Sequence, residues 1–277
     1  MKKIILGTLI SVITIGNTFA ACTYNLNATQ SQVDAVNALG GRQATLMPTI
    51  NLTEQKGTAV IGHFSNSVDQ IATSSNFISN TSINTPINDK VVVNNNILAS
   101  EFVFDVANIK DIALGASHEI QQLGVQILGA SSSKNELSLD LAYSLINNDP
   151  NYSNGSYITL TAATTKLNAS GQLVAKDFDR KLIPVTVPSV GKIRVGVYFN
   201  QVTKQLGYII NGTNYGYLNI LADNALSNIG FQAVSQPSPN TTSKFLGKQV
   251  SIQVITDSAN MQFTYPSNTK DICGNTI

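Results

Sequence analysis

Glu136-Leu137-Ser138-Leu139-Asp140-Leu141-Ala142-Tyr143 alternates without a break. Leu137, Leu139, Leu141 and Tyr143 fall on one side of an extended chain. Ser138, Asp140 and Ala142 fall on the other, because successive side chains of a strand point to opposite faces. A helix would scatter the four apolar residues around its circumference. The stretch therefore predicts a strand with one face in a core and one in water. Lys192 to Phe199 repeats the pattern through Ile193, Val195, Val197 and Phe199, and Val250, Ile252 and Val254 do so again.

Less regular runs extend the reading: Gly57 to Phe64, Glu101 to Val106, Glu119 to Leu128, Tyr157 to Thr164, Leu206 to Ile210, Ile229 to Val234 and Met261 to Tyr265. Turn formers separate them, among them Asn94-Asn95-Asn96, Asn147-Asn148-Asp149-Pro150, Asn154-Gly155, Asn211-Gly212 and Pro237-Ser238-Pro239-Asn240. Many short strands with turns between them predict an all-β fold, an antiparallel sandwich of two sheets. One short helix is expected over Gln30 to Leu39, where Thr29 and Gln32 have capping-box spacing and Gly40-Gly41 supplies a stop. Val33 and Val36 give it a modest apolar stripe. Residues 21–277 read as a single domain, with the polar segment 65–90 as a long loop or insertion.

The 277 residues are 43% hydrophobic and only 12% charged, against about 25% charged in an average soluble domain. Seventeen Lys and Arg nearly balance sixteen Asp and Glu. No field of either sign exists to steer nucleic acid or anionic lipid, so a nucleic-acid partner is not expected.

Met1-Lys2-Lys3, the apolar run Ile4 to Ile15 and Thr18-Phe19-Ala20 follow the order of a secretory signal peptide over residues 1–20, with cleavage before Ala21. The run is shorter than the ~18 residues of a membrane span, and Asn, Gln and Lys interrupt every later candidate, so no transmembrane segment is expected in the mature chain. The protein is thus read as exported: periplasmic, secreted or attached to the cell surface. Cys22 and Cys273 are its only cysteines. A disulfide is the simplest use of an even pair outside the cytoplasm, and closing so long a loop contributes roughly 4–5 kcal/mol on the chain-entropy model. The rival use is lipidation of Cys22. Phe19-Ala20-Ala21 supplies the small residues of a lipoprotein signal but not its aliphatic one. The Asn-x-Ser/Thr triplets, as at Asn51 and Asn211, read as turns and solvated faces in an Asn-rich chain.

Gly191-Lys-Ile-Arg-Val-Gly-Val-Tyr-Phe-Asn-Gln-Val-Thr-Lys-Gln-Leu-Gly-Tyr-Ile-Ile-Asn-Gly-Thr-Asn-Tyr-Gly216 holds two strands, a polar turn and an Asn-Gly step. It resembles the hairpin of concanavalin A-like jelly rolls of the laminin-G and SPRY style, and Asn228-Ile-Gly-Phe-Gln-Ala-Val234 resembles the strand that follows. The likeness covers about a quarter of the chain and raises a jelly roll over an immunoglobulin-like sandwich. It implies carbohydrate or protein-surface binding. The chain as a whole also resembles small families of exported Gram-negative proteins that carry no assigned activity.

Catalytic signals are sparse. Glu101 and Asp105, like Glu136 and Asp140, are four apart on one strand face. Neither pair has the Glu-x-Asp-x-x-Glu spacing of laminarinase-type jelly rolls, so all four read as solvated outer-face acids. His63 and His118 have no His or Cys nearby, so no metal site is expected. No cofactor is implied, although Asp149, Asn151 and Asn154 leave calcium open. No nucleophile elbow or phosphate-binding glycine loop occurs. Tyr208, Tyr215 and Tyr217 cluster with Asn211 and Asn214. Flat rings with amides beside them suit sugar recognition, and the plainer reading places these tyrosines in the core or at its edge. The sequence favours an exported non-catalytic binding module for carbohydrate or a protein surface. A glycosidase-like hydrolase and a structural or adhesive surface subunit are the alternatives.

Overall fold

A computed structural model describes residues 22–39, 43–52, 57–65, 68–80, 85–93, 95–236 and 242–277. The signal-peptide reading, Gly40-Gly41, Asn94 and the turn at 237–240 lie outside them. In chain order the elements are α1 (Gln30–Ala38), β1 (Ala44–Leu46), β2 (Thr49–Leu52), β3 (Gly57–His63), β4 (Asp69–Thr73) and α2 (Ser75–Ser79). Then come β5 (Lys90–Val91), β6 (Ile97–Asp105), β7 (Glu119–Ala130), β8 (Asn135–Asn147), β9 (Gly155–Leu167) and β10 (Leu173–Pro184). The last are β11 (Lys192–Asn200), β12 (Gln205–Ile210), β13 (Thr213–Tyr217), β14 (Asn228–Ser235), β15 (Gln249–Ile255) and β16 (Thr269–Lys270).

The strands form two facing sheets of jelly-roll type. One runs β1-β4-β14-β7-β8-β9-β10, with β5 also on β14; the other runs β13-β12-β11-β6-β15-β3-β2, with β16 also on β6. Pairing is antiparallel except at β1–β4 and β16–β6. The alternation read in β8 is obeyed: Leu137, Leu139, Leu141 and Tyr143 are buried, beside Leu123, Val125 and Ile127 of β7 and Ile158 and Leu160 of β9. Across the interface stand Phe102 and Phe104 of β6, Val195, Val197 and Phe199 of β11, and Ile252 and Val254 of β15. Each such Leu or Phe contributes roughly 1.5–3 kcal/mol when fully withdrawn from water. Asn211-Gly212 turns β12 into β13 with both φ values positive, 46° and 88°. That is the type I′ geometry whose twist matches a two-residue hairpin.

Helix α1 has the expected capping box, with Thr29 and Gln32 each bonding the other's backbone. It lies on the outer face of the first sheet, where Val33 meets Ile71 and Ile78. The segment 65–90 is not one loop: β4 pairs with β14 and α2 packs behind it. Met261 to Tyr265, expected as a strand, is an extended strap over the outer face of the second sheet. Its amides find a side chain in place of a neighbouring strand, since the N–H groups of Gln262 and Phe263 donate to Glu101 Oε1 at 2.9 and 2.8 Å. Strand β10 went unread because charged residues crowd it and a bulge between Ala175 and Phe178 breaks its period.

Cys22 and Cys273 are joined, with Cα atoms 5.7 Å apart across 251 residues of sequence. The buried Asp271 carboxylate organises the final loop, accepting the backbone N–H groups of Ser258, Cys273 and Asn275 at 3.1, 2.9 and 2.9 Å. On the chain-entropy model, replacing both cysteines with serine lowers the unfolding free energy by about 5 kcal/mol. Urea denaturation checks this, and a loss under about 1 kcal/mol would mean that the bridge does not restrain the unfolded chain.

Candidate functional site

The core claims the inner face of each sheet, so any open site lies on an outer face. On the first sheet the registers of four strand pairs put Gln232, Gln126, Asp140, Thr161 and Arg180 in one row across β14, β7, β8, β9 and β10. With strands about 4.8 Å apart the row is roughly 19 Å long. The adjacent row is Val234, Gly124, Ala142, Thr159 and Leu182. Its middle is small: a Cβ on Gly124 would stand 3.0 Å from the Leu141 carbonyl oxygen and 3.2 Å from Ala142 Cβ. Polar side chains flank this low strip on both sides. On the far side Gln122 Nε2 donates to Ser144 Oγ at 3.1 Å, and Ser144 shares a 2.9 Å bond with Thr159 Oγ1. Together they form an open groove of about 460 Å³, with Asp69 at its β4 end.

Asp140 is the carboxylate at the groove's centre. Its side chain is exposed, but the surrounding strands remove enough water to push its pKa upward, and a hydrogen bond from Gln126 only partly offsets that. Asp69 is three strands away and, since Thr73 is the β4 residue in register with Gln232, four residues off the row, about 20 Å in all; Glu136 is four residues along β8, about 14 Å. Paired glycosidase carboxylates stand roughly 5–9.5 Å apart. The groove therefore holds a single acid within such reach of its centre.

The other acids are not the solvated pair members expected. Glu136 is fully buried, takes hydrogen bonds from Ser131 Oγ and Asn224 Nδ2 at 2.8 Å, and pairs with Lys134 Nζ at 2.9 Å. Burial alone would raise its pKa, but the bonds from Asn224, Lys134 and Ser131 prevail and hold it low. Glu101 is also fully buried, because the C-terminal strap covers it. It pairs with Arg194 and accepts the Tyr265 hydroxyl at 3.2 Å. Asp105 sits at the end of β6, 3.9 Å from Lys192. Sequence spacing gave no sign of the covering segments.

The expected tyrosine cluster divides between two faces of the β12–β13 hairpin. Tyr208 is buried toward the core and Tyr215 stacks on it, ring centres 5.4 Å apart and nearly parallel. Tyr217 lies on the opposite face, edge-on to Tyr198 at 5.4 Å. Asn214 Oδ1 accepts from Tyr198 Oη at 3.0 Å and from the Gly216 N–H at 2.8 Å. Asn211 bonds the Arg194 backbone in both directions. Tyr215 and Tyr217 retain exposed rings. In the loop considered for calcium, Asp149 accepts the Asn151 N–H and Asn154 the Asn148 N–H, as turn caps do. His118 Nδ1 is 3.9 Å from Asp149, and His63 is exposed. Among the described residues the sole cluster of three residues with metal-ligating chemistry is Cys22, Asp271 and Cys273, whose sulfurs are bonded to each other. No described helix is long and apolar enough to cross a membrane.

The chain belongs to the family described as a domain of unknown function, DUF4882, which it matches over residues 3–275. No curated protein is similar to it. Among solved structures it is similar to a glycoside hydrolase family 16 endo-glucanase from Bacteroides ovatus, at 6% identity and a TM-score of 0.44, covering 85% of this chain and 91% of that one. An endo-1,3-beta-glucanase from Streptomyces sioyaensis has 11% identity and a TM-score of 0.42, over 77% and 81%. Porphyranase B from Zobellia galactanivorans has 9% identity and a TM-score of 0.42, over 76% and 79%. These likenesses are distant, and no residue or activity is carried over from them.

A carboxyl with a raised pKa penalises the fold once it ionises, so stability conferred at low pH falls as pH rises through the window above the ordinary Asp value of about 3.9. Asp140→Asn, which still accepts from Gln126, is expected to raise the melting temperature at pH 7 and to leave it unchanged near pH 3. A lower melting temperature at pH 7 would contradict the desolvation argument.

Proposed function

We propose that the outer face of the first sheet is a binding groove for an extended, polyhydroxylated chain, a saccharide, and that the protein works outside the cytoplasm as a binding module. The observation that carries this is the row of amide, carboxylate and hydroxyl groups from Gln232 to Thr161, repeated at strand spacing beside a floor of Gly124 and Ala142. Sugar hydroxyls both donate and accept, and neutral amides and hydroxyls meet them without a charge to desolvate. The floor lets a chain lie across the strands within reach of both polar flanks. The disulfide is compatible with export, since such bonds persist in oxidising compartments.

A single observation favours the hydrolase alternative. Asp140 is held toward its protonated form at the centre of the groove, and a general acid needs such a carboxyl. Its isolation from a second carboxylate favours binding. The tyrosine edge is the rival location, with Tyr215 and Tyr217 as exposed plates and Asn211 and Asn214 beside them.

Ala142→Trp fills the floor from the solvent side. It is expected to weaken capture of soluble glycans at least tenfold in affinity electrophoresis, with little change in melting temperature. Retained capture by this variant together with loss in Tyr215→Ala would move the site to the hairpin. Cleavage of a glycan by the wild type, lost in Asp140→Asn, would establish the hydrolase. If no glycan is retained or cut by the wild type, the saccharide reading is wrong.

A further inference from the structure

We infer that the β10 end of the groove reads a negative charge, so that the preferred ligand is an acidic saccharide carrying a carboxylate or sulfate group. This rests on the saccharide reading of the groove. It comes from two side chains which that reading does not need, Arg180 and Phe178.

Arg180 closes the transverse row on the edge strand, beyond Thr161, and is exposed to solvent. The cations around it are engaged: Lys176 Nζ is 2.8 Å from Asp223, Lys181 Nζ is 3.0 Å from Asp179, and Lys134 Nζ is 2.9 Å from Glu136. Arg180 has no acid within ion-pair distance among the described residues, although it lines the groove. The nearest acid in its own row is Asp140, two strands away or about 10 Å by strand spacing. A free, planar fork of N–H donors is the group that pairs in bidentate fashion with carboxylate or sulfate oxygens.

Phe178 is two residues before Arg180 and so on the same face of β10, in register with Ala163. It is 65% exposed, which withholds a large apolar ring from the core. Exposed aromatic faces bind the apolar face of a sugar ring, and one next to a guanidinium suits a ring that also bears an anion. The groove therefore has a direction, with hydroxyl-reading groups at its centre and the anion at its β10 edge.

Matched probes test the inference by isothermal titration: oligogalacturonate against its methyl ester, and a sulfated galactan oligosaccharide against the same chain desulfated. The charged member of at least one pair is expected to bind roughly tenfold tighter than its neutral partner, a ratio that shrinks in high salt. Arg180→Gln should bring that ratio to about one. Arg180→Lys should keep part of it, because it retains the charge and loses the fork. Preference within the first pair alone identifies a uronate ligand, and within the second alone a sulfated one. Equal binding of charged and neutral members by the wild type, or a preference that survives in Arg180→Gln, overturns the inference and leaves the groove a saccharide site. Failure of every probe to bind removes the saccharide reading itself, and this inference with it.

Discussion

A strand has two faces, and the core can take only one of them. Once Leu137, Leu139, Leu141 and Tyr143 turn inward, Ser138, Asp140 and Ala142 must turn out, and every neighbour in register repeats the division. The location of the groove follows from that. Phe231, Ile127, Leu139 and Leu160 are committed to burial, which leaves Gln232, Gln126, Asp140 and Thr161 together on the other side. A slip of one residue in β8 would send its leucines into water and Asp140 into the core. Such a slip would lose several buried leucines and bury a carboxylate without partners, so the same constraint holds the fold and aligns the row.

The two sheets dispose of their outer faces differently. On the second sheet Glu101 points outward from β6 and would be exposed, but the strap caps it with two backbone N–H groups and a hydroxyl while Arg194 supplies the counter-charge. Tyr265 shares in this arrangement, and burial beside the Glu101 carboxylate drives its phenol far above the ordinary range. The strap can lie this close only because position 196 is glycine: a Cβ there would meet Tyr265 Oη at 2.4 Å and Phe263 at 2.8 Å. A buried ion pair alone is weak support for a fold, since desolvation offsets most of its attraction. Its role here is to fix where the strap sits, while the disulfide keeps the chain end close to the other terminus. On the first sheet α1 covers the β4 end, through Val33 on Ile71, and Phe77 of α2 and Ile87 cover Leu128 and Ala130 at one end of β7, so that the open stretch is the middle of β7 to β10.

How much of this could be read from the sequence depends on how local each signal is. The strands β8, β11 and β15 announce themselves because one face of each is uniformly apolar. The α1 cap does so because Thr29 and Gln32 are three residues apart. The disulfide could be read because the chain has only two cysteines. Strand β10 could not, since Asp177 and Asp179 spend their carboxylates on the N–H groups of Leu221 and Asn219 at the sheet edge and break any alternation. Met261 to Tyr265 has the composition of a strand, and its actual placement depends on a buried glutamate about 160 residues earlier. Burial of Glu101 and Glu136 comes in the same way from distant segments, the strap in one case and the loop carrying Asn224 in the other.

The groove is the extreme case. Gln126, Asp140, Thr161, Arg180 and Gln232 lie on five strands and have no motif spacing, and each one alone is an ordinary outward-facing residue. They become a site only through register, because antiparallel pairing sets unrelated stretches of chain side by side to within one residue. The tyrosines of β12 and β13 show the converse. They are close in sequence and rich in suitable chemistry, but the β12–β13 ladder pairs Tyr208 with Gly216 and Ile209 with Asn214, and the bulge that leaves Tyr215 unpaired between them sends it and Tyr217 to opposite faces of the hairpin. In a β-sandwich, then, nearness along the chain separates side chains between faces, and nearness across strands brings them together. A search for function in such a chain is better made along the rows of the sheet than along the sequence.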